Sequence, residues 1–146
     1  VNVTGKFLST QAMFDGMVER GWGRVVNVSS LAGLRGDRYI AAYVASEHAV
    51  IGFTKAVAAE AEDTGVTVNA VCPGYVDTPL TDETVARIMH LTGKSWQEAL
   101  RSVLDQAGQS RLIRAAEVAE SILALCADER GERNGEVVVL DGSDTP

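Results

Sequence analysis

The chain has 146 residues, with 13 basic and 20 acidic side chains, a formal net charge of −7 and 46% hydrophobic residues. These values are typical of one soluble globular domain spanning residues 1–146, and no apolar run approaches the roughly 18 residues of a transmembrane helix. Because the negative charge is dispersed, nucleic acid and anionic membranes are poor partners, and we expect a small-molecule site.

The first residues contain neither an initiator Met nor a basic and apolar leader, so we expect no secretion. Cys72 and Cys126 lie far apart and form no CxxC motif, which predicts buried thiols in a reducing cytoplasm. His48 and His90 are expected at the surface or in partner contacts, and no metal site is expected.

The first half of the chain predicts two helices around a strand. Apolar residues recur at helical spacing over residues 1–20, and the Val-rich segment 24–28 predicts a strand buried on both faces of a parallel sheet. Residues 29–39, with two glycines, predict a loop. We also expect the strand at 24–28 to leave a backbone edge uncovered.

The helix predicted over residues 41–62 carries two apolar stripes, one small and one bulky. The small stripe comprises Ala45, Ala49, Gly52, Ala56 and Ala59, and the bulky stripe comprises Val50, Phe53 and Val57. A helix that is apolar on two sides is expected to be covered on both, by its own sheet and by a neighbouring helix or subunit.

The second half predicts a strand at 66–71, which the sequence Cys72-Pro73-Gly74 ends with a turn. Helices are predicted at 80–91, at 95–107 with a capping box from Ser95 to Glu98, and at 115–128. The last of these is expected to bury Val118, Ile122, Leu125 and Cys126. A final strand is predicted at 136–140.

This order of elements implies right-handed parallel crossovers and therefore an α/β fold. Two common motifs fail on inspection. Gly21-Trp22-Gly23 precedes a strand, whereas a dinucleotide-binding glycine turn must follow one, and there is no G-x-S-x-G elbow for a nucleophilic serine.

Four motifs carry more information because they occur in register. They are Asn2-Val3-Thr4-Gly5, Asn27-Val28-Ser29-Ser30, Tyr43-Val44-Ala45-Ser46-Glu47 and Asn69-Ala70-Val71-Cys72-Pro73-Gly74 followed by Val76-Asp77-Thr78-Pro79. Together they resemble the classical short-chain dehydrogenase/reductase family. The resemblance implies a three-layer, Rossmann-like parallel sheet, here truncated to about three strands with flanking helices. It also implies hydride transfer between NAD or NADP and a secondary alcohol or ketone.

By this resemblance, four positions are catalytic: Asn2, Ser30, Tyr43 and Glu47. Ser30 ends a strand and can hold a carbonyl oxygen, while Tyr43 acts as general acid or base on the same oxygen. Asn2 would bind a water that relays protons. Without the register, Asn2 would be a helix-end residue, and Ser30 and Tyr43 a capped loop and a half-buried aromatic.

Glu47 departs from the family, which has a lysine four residues after the tyrosine. A cation about 5 Å from a phenolate is worth roughly 3 kcal/mol at an effective dielectric of 20, so reversing the charge changes the site by about 6 kcal/mol before screening. Lys55 lies too far along the helix to substitute. We expect Tyr43 to ionise less readily than free phenol. Turnover should be largely abolished unless a cation from the cofactor, the substrate or another chain replaces the lysine.

The resemblance also assigns binding residues. Tyr43, Pro73, Gly74, Val76 and Thr78 would border the cofactor, although Pro73-Gly74 on its own is simply a turn. Residues 80–112 would form a substrate lid in which Trp96 and Leu100 contact an apolar part of the substrate, together with Ser30 and Tyr43. A 3-oxoacyl or hydroxybutyrate type of substrate is one possibility, and the choice between NAD and NADP stays open.

Two further expectations follow from the resemblance. The chain corresponds to the C-terminal catalytic and substrate-binding portion of the family, without the glycine-rich turn and first four strands. Helices 1–20 and 41–62 would pair with their copies in a homodimer or homotetramer. The alternative to an enzyme is a catalytically impaired fragment that serves as a non-enzymatic interaction module, which Glu47 and the absent nucleotide-binding half favour.

Overall fold

Five helices and three strands make up the described part of the chain. The computed structural model describes residues 2–143, so the predicted helix start at Val1 lies outside it. In chain order the elements are α1 (Asn2–Glu19), β1 (Gly23–Val28), a 3-10 turn (Leu31–Gly33), α2 (Ala41–Glu60), β2 (Val66–Pro73), α3 (Pro79–Thr92), α4 (Trp96–Ala107), α5 (Ala115–Cys126) and β3 (Val137–Leu140).

The strands form one parallel sheet in the order β1-β2-β3. Helices α1 and α2 pack on one face and α5 on the other, which confirms the three-layer α/β fold. The central strand β2 is buried along its whole length. Its fully buried Val68 and Val71, with Val50 of α2, form part of the core.

The prediction that β1 is buried on both faces is wrong in part. Only two of its residues, Gly23 and Asn27, are buried, and Val28 is exposed. The reason is its place at the edge of the sheet, where β2 is its one partner among residues 2–143. An open groove of about 530 Å³ runs between α1 and this edge. The groove agrees with the expectation that the strand at 24–28 leaves a backbone edge uncovered.

The predicted turn at Cys72-Pro73-Gly74 is also wrong, because β2 continues to Pro73. Pro73 is paired with Leu140 of β3, and the Gly74 N–H donates to the Leu140 carbonyl at 2.9 Å. On the other side β1 has ended, since its Val28 is paired with Val71. The missing N–H of the proline therefore breaks no ladder hydrogen bond with β1.

Helix α5 buries less than expected. Leu125 is fully buried, whereas Val118, Ile122 and Cys126 are only partly buried. Cys126 is the last residue of the helix, where the element leaves the sheet, so its predicted burial is wrong. Cys72, in the central strand, is fully buried as predicted.

The two stripes of α2 differ in their surroundings. Val50 and Val57 of the bulky stripe are buried against the sheet, while all five residues of the small stripe are exposed in the single chain. A buried hydrogen bond from Asn27 Nδ2 to Thr54 Oγ1, 3.0 Å long, also joins α2 to β1. Within residues 2–143, none of the helices is both long and apolar enough to cross a bilayer.

Candidate active site

The predicted site residues lie where the parallel strands end. Ser29 and Ser30 follow β1, and the segment 74–78 follows β2. Helix α2 begins at Ala41 and places Tyr43 in its first turn and Glu47 in its second. Carboxyl ends of parallel strands share one edge of the sheet, which is where ligands bind in open α/β folds.

Ser30 and Tyr43 come together at this edge. Burial raises the pKa of the Tyr43 phenol, the Ser30 side chain beside it acts in the opposite direction, and the negative charge of Glu47 raises the pKa further. The Tyr43 side chain is nevertheless 48% exposed. The Ser30 hydroxyl also accepts from the Ala32 N–H at 3.2 Å, so it caps the 3-10 turn as well.

Glu47 is buried, with 5% of its surface exposed, and it connects three elements. Its Oε1 accepts from Asn2 Nδ2 of α1 at 2.6 Å, and its Oε2 accepts from the Ser29 hydroxyl at 2.8 Å. The side-chain oxygen of Asn2, Oδ1, in turn accepts from the Lys6 ammonium at 2.9 Å. Asn2 therefore contacts the site through its side chain.

Sequence reasoning missed three members of this cluster: Lys6, Ser29 and Cys72. The Ser29 hydroxyl contacts both the Glu47 carboxylate and, at 3.2 Å, its carbonyl. Burial raises the pKa of the Cys72 thiol, with Ser29 and Glu47 close enough to influence it. The spacing of Lys6, four residues after Asn2 on one helix, was the one available signal.

The segment after β2 is held by a side chain that sequence analysis did not single out. Gln109 is buried, and its Oε1 accepts from the Tyr75 N–H at 2.7 Å. A Cβ on Gly74 would collide with the same oxygen and with the Leu31 side chain, so a larger residue at position 74 would displace Gln109. Burial raises the pKa of the Tyr75 phenol, with added effects from Asp37 and Tyr43 that place it beside the site.

The residues expected to border a cofactor occupy different settings. Pro73 is within β2, and Val76 forms a bridge with Ile113. Thr78 precedes α3, where its hydroxyl makes a long contact of 3.4 Å with the Val76 carbonyl. Thr78 carries the one aliphatic hydroxyl among positions 73–78.

The expected lid contains α3 and α4, which pack against each other. Leu100 joins a cluster around Val85, Ala99 and Val103, while Trp96, the first residue of α4, is 40% exposed. The Arg35 guanidinium donates to the Ala107 carbonyl at 2.6 Å. This bond joins the end of α4 to the loop that follows Ser30.

Fold and site together define a class: a Rossmann-like parallel α/β domain with a serine and a tyrosine at the carboxyl edge of the sheet. The family model described as short chain dehydrogenase matches residues 1–88. The chain therefore belongs to the short-chain dehydrogenase family.

Relatives of known name support this assignment. The chain is 35% identical over 144 residues to D-beta-hydroxybutyrate dehydrogenase of Rhizobium meliloti, a match covering 97% of this chain and 55% of the relative. It is 33% identical over 141 residues to acetoacetyl-CoA reductase of Shinella zoogloeoides, covering 97% and 54%. The chain thus spans about half the length of the curated relatives it matches.

Solved structures of similar fold support the same family assignment. An actinorhodin polyketide ketoreductase variant with NADPH matches with a TM-score of 0.87 and 36% identity, covering 97% of this chain and 55% of that one. A 4-hydroxyisoleucine dehydrogenase complexed with NADH matches with a TM-score of 0.82 and 30% identity, covering 99% and 56%. Nicotinamide cofactors of both kinds are thus found in proteins of this fold.

Proposed function

We propose that this chain provides the catalytic portion of an NAD(P)-dependent oxidoreductase that interconverts a secondary alcohol and a ketone. The observation that carries the proposal is the meeting of Ser30 and Tyr43 at the carboxyl edge of the sheet, where the Tyr43 phenol remains half-exposed. A hydroxyl and a phenol on one substrate oxygen are the groups that this chemistry needs.

Each residue would have a separate task. The Ser30 hydroxyl would donate to the substrate oxygen and orient it, while Tyr43 would give a proton to that oxygen in reduction or take one in oxidation. When bound, the nicotinamide donates or accepts the hydride. Asn2 would hold Glu47 at the rear of the site, which differs from the water-binding role that the family implies.

Some of the residues expected around the nicotinamide ring suit that group, and one does not. Thr78 can hydrogen-bond a carboxamide, and Tyr43, Pro73, Gly74 and Val76 would border the ring. Glu47 fits poorly at the position of the family's lysine, because it offers no donor and both its oxygens already accept hydrogen bonds. Neither NAD nor NADP is favoured by these contacts.

The substrate we propose is a 3-oxoacyl or hydroxybutyrate type of molecule, as the names of the relatives suggest. Its apolar part would lie under the lid at residues 80–112, near Trp96 and Leu100. The packing of α3 on α4 supports this role, because the two helices form a unit beside the segment that carries Tyr75.

Self-association is part of the proposal. Helices α1 and α2 pack together, and the exposed small stripe of α2 allows close approach by another helix. Phe7 and Leu8 add exposed apolar surface on α1. We therefore propose a homodimer or homotetramer formed through these helices. The free thiols of Cys72 and Cys126 support the cytoplasm as its compartment.

A specific observation favours the second candidate, a non-catalytic interaction module. The buried Glu47 carboxylate adds a negative charge beside Tyr43, where the family has a lysine, and it makes phenolate formation harder. An interaction module would keep the fold and the exposed helix faces without binding a nicotinamide.

The experiment combines cofactor titration with turnover. We expect a saturable change of nicotinamide fluorescence, and a slow reduction of acetoacetyl-CoA by the parent that Tyr43→Phe abolishes. Glu47→Lys should raise the rate by at least about tenfold, because it reverses a charge worth several kcal/mol beside the phenol. Equal rates for Glu47→Lys and the parent contradict the charge argument. The absence of any saturable cofactor signal supports the interaction module instead.

A further inference from the structure

The negative charge of Glu47 has no oppositely charged contact in the described part of the chain. Its two donors, the Asn2 amide and the Ser29 hydroxyl, are both neutral. Lys6 reaches only the far oxygen of Asn2, and the ion pairs found within residues 2–143 do not include Glu47. A buried anion held only by neutral dipoles favours a cation brought from outside.

This charge acts on the reacting atoms. Glu47 lies one helical turn after Tyr43 on the same face of α2, and its charge is among the influences on the phenol. The arginines near the site, Arg35 and Arg87, act on Tyr75 but are not among the influences on Tyr43. Negative charge that develops on the phenol, or on a substrate oxygen beside it, would therefore lie next to another negative charge.

A positive charge on the substrate removes this conflict. Two opposite unit charges about 6 Å apart at an effective dielectric of 20 attract by an energy equivalent to roughly a hundredfold in affinity before screening. A neutral oxoacyl chain gains nothing from the charge of Glu47 and the carboxylate of a hydroxyacid is repelled by it, whereas an ammonium group beside the reacting carbon is attracted.

We propose that the substrate of this site carries an ammonium group next to the reacting carbon, so that the reaction interconverts an amino alcohol and an amino ketone. The inference rests on the proposed interconversion of a secondary alcohol and a ketone, and it puts an amino alcohol in place of the 3-oxoacyl or hydroxybutyrate type of substrate. In oxidation Tyr43, as phenolate, would take the proton of the alcohol O–H, and a bound oxidised nicotinamide would take the hydride of the C–H, which would leave a C=O bond. The ammonium keeps its protons throughout and supplies the positive charge that the family's lysine provides.

A pair of matched ligands tests the inference on the chain itself. We would titrate the protein, labelled with 13C in its tyrosine rings, with 2-amino-1-phenylethanol and with 1-phenylethane-1,2-diol, which differ in an ammonium against a hydroxyl. The Tyr43 signal reports binding, and the 99% exposed Tyr39 serves as the internal reference. We expect the amino alcohol to bind at least about tenfold more tightly than the diol.

Three variants locate the source of the preference. Glu47→Gln keeps the size of the side chain and should abolish the preference, while Glu60→Gln, which removes the same charge from the exposed end of α2, should retain it. Lys6→Gln removes the cation that donates to Asn2, the partner of Glu47, and this variant should retain or strengthen the preference for the amino alcohol. An amide spectrum of each variant checks that it is folded.

The inference is overturned by equal affinities in the parent, by a preference that survives Glu47→Gln, or by one that disappears in Glu60→Gln or Lys6→Gln. It is also overturned if the amino alcohol fails to shift the Tyr43 signal at its solubility limit. The comparison of the two ligands on the parent protein is valid even if a variant fails to fold. Because ligand binding is measured without turnover, this outcome is independent of whether the chain transfers a hydride.

Discussion

At the scale of single residues, Glu47 has a structural effect as well as an electrostatic one. Its carboxylate joins α1 through Asn2 and the end of β1 through Ser29, so one side chain fixes the relative positions of three elements. Hydrogen bonds to charged groups contribute about 1.5 to 3 kcal/mol each. Replacing Glu47 therefore changes the positions of Asn2 and Ser29 as well as the charge near Tyr43.

The ionisation of Tyr43 gives a direct measure of that charge. Burial raises the pKa of Tyr43 above its ordinary value of 10.0, and Glu47 contributes to the rise. In Glu47→Gln the pKa should fall but stay above 10.0, since burial, the larger cause, is unchanged. Tyrosine-ring NMR across alkaline pH measures it. A pKa that is unchanged or higher in the variant contradicts this account.

The proximity of Ser30 and Tyr43 could be predicted because parallel strands end at a common edge and the resemblance fixes the spacing between the motifs. The hydrogen-bond partners of Glu47 could not be predicted from the sequence. A sequence states that position 47 is acidic, but not which donors the folded chain brings to it from positions 2 and 29. Gln109 escaped notice for the same reason, since its contact with Tyr75 spans 34 residues.

At the scale of elements, periodicity predicted all eight helices and strands, with ends that differ by a few residues. The errors have local causes. The proline predicts that the strand ends before it, yet β2 extends to Pro73 because β1 has already ended beside it. In α5 the pattern of four apolar residues is correct, but the small sheet covers only Leu125 completely.

The packing of α5 can be tested with a pair of leucines. Leu125 is fully buried, whereas Leu123 is 65% exposed on the same helix. Leu125→Ala should lower the free energy of unfolding by about 2 to 5 kcal/mol, because it leaves a cavity, and Leu123→Ala should change it by less than about 1 kcal/mol. Urea unfolding measures both. Similar losses for the two variants would show that α5 does not pack as described.

The stability that the first turn of α5 contributes to the fold should depend on pH. The Arg111 guanidinium, 2.8 Å from Glu117, together with Arg114 lowers the pKa of Glu117 from 4.5 to about 2. A depressed carboxyl pKa adds stability above about pH 4.5, and this contribution is lost as the pH falls towards 2. We expect Glu117→Gln to melt at a lower temperature than the parent at neutral pH, with the difference closing over that range.

Thermal melting of the parent, Glu117→Gln and Glu120→Gln at several pH values checks this prediction. Glu120 is exposed on the same helix, so its variant controls for the loss of one negative charge. A difference between the parent and Glu117→Gln that stays constant down to pH 2 would exclude the Arg111 and Arg114 contacts as its source.

At the scale of the whole molecule, the exposed small stripe of α2 predicts self-association. Ala49 lies in the middle of the stripe, and Gly52 has open space where a Cβ would be. Ala49→Glu places a charge in the proposed contact and should convert the oligomer into a monomer. Ala119→Glu, the same substitution at an exposed position of α5, should leave the oligomer intact.

Sedimentation velocity distinguishes these states. A parent that sediments as a monomer contradicts the proposed assembly outright, and dissociation of both variants would point to a general charge effect instead. The presence of a second apolar stripe could be predicted from the periodicity of residues 41–62. The sequence could not predict what covers this stripe, because a helix that faces its own sheet and a helix that faces a second subunit have the same apolar pattern.

One side of β1 has no strand partner within residues 2–143, which has a practical consequence for handling this polypeptide. Its outward backbone N–H and C=O groups form a ready template onto which any extended segment can add as a fourth strand. A purification tag rich in β-branched residues has the composition of such a strand and can compete for this edge. Preparations should carry proline-rich or charged tags, and they should be kept dilute, because the same docking between identical molecules begins precipitation.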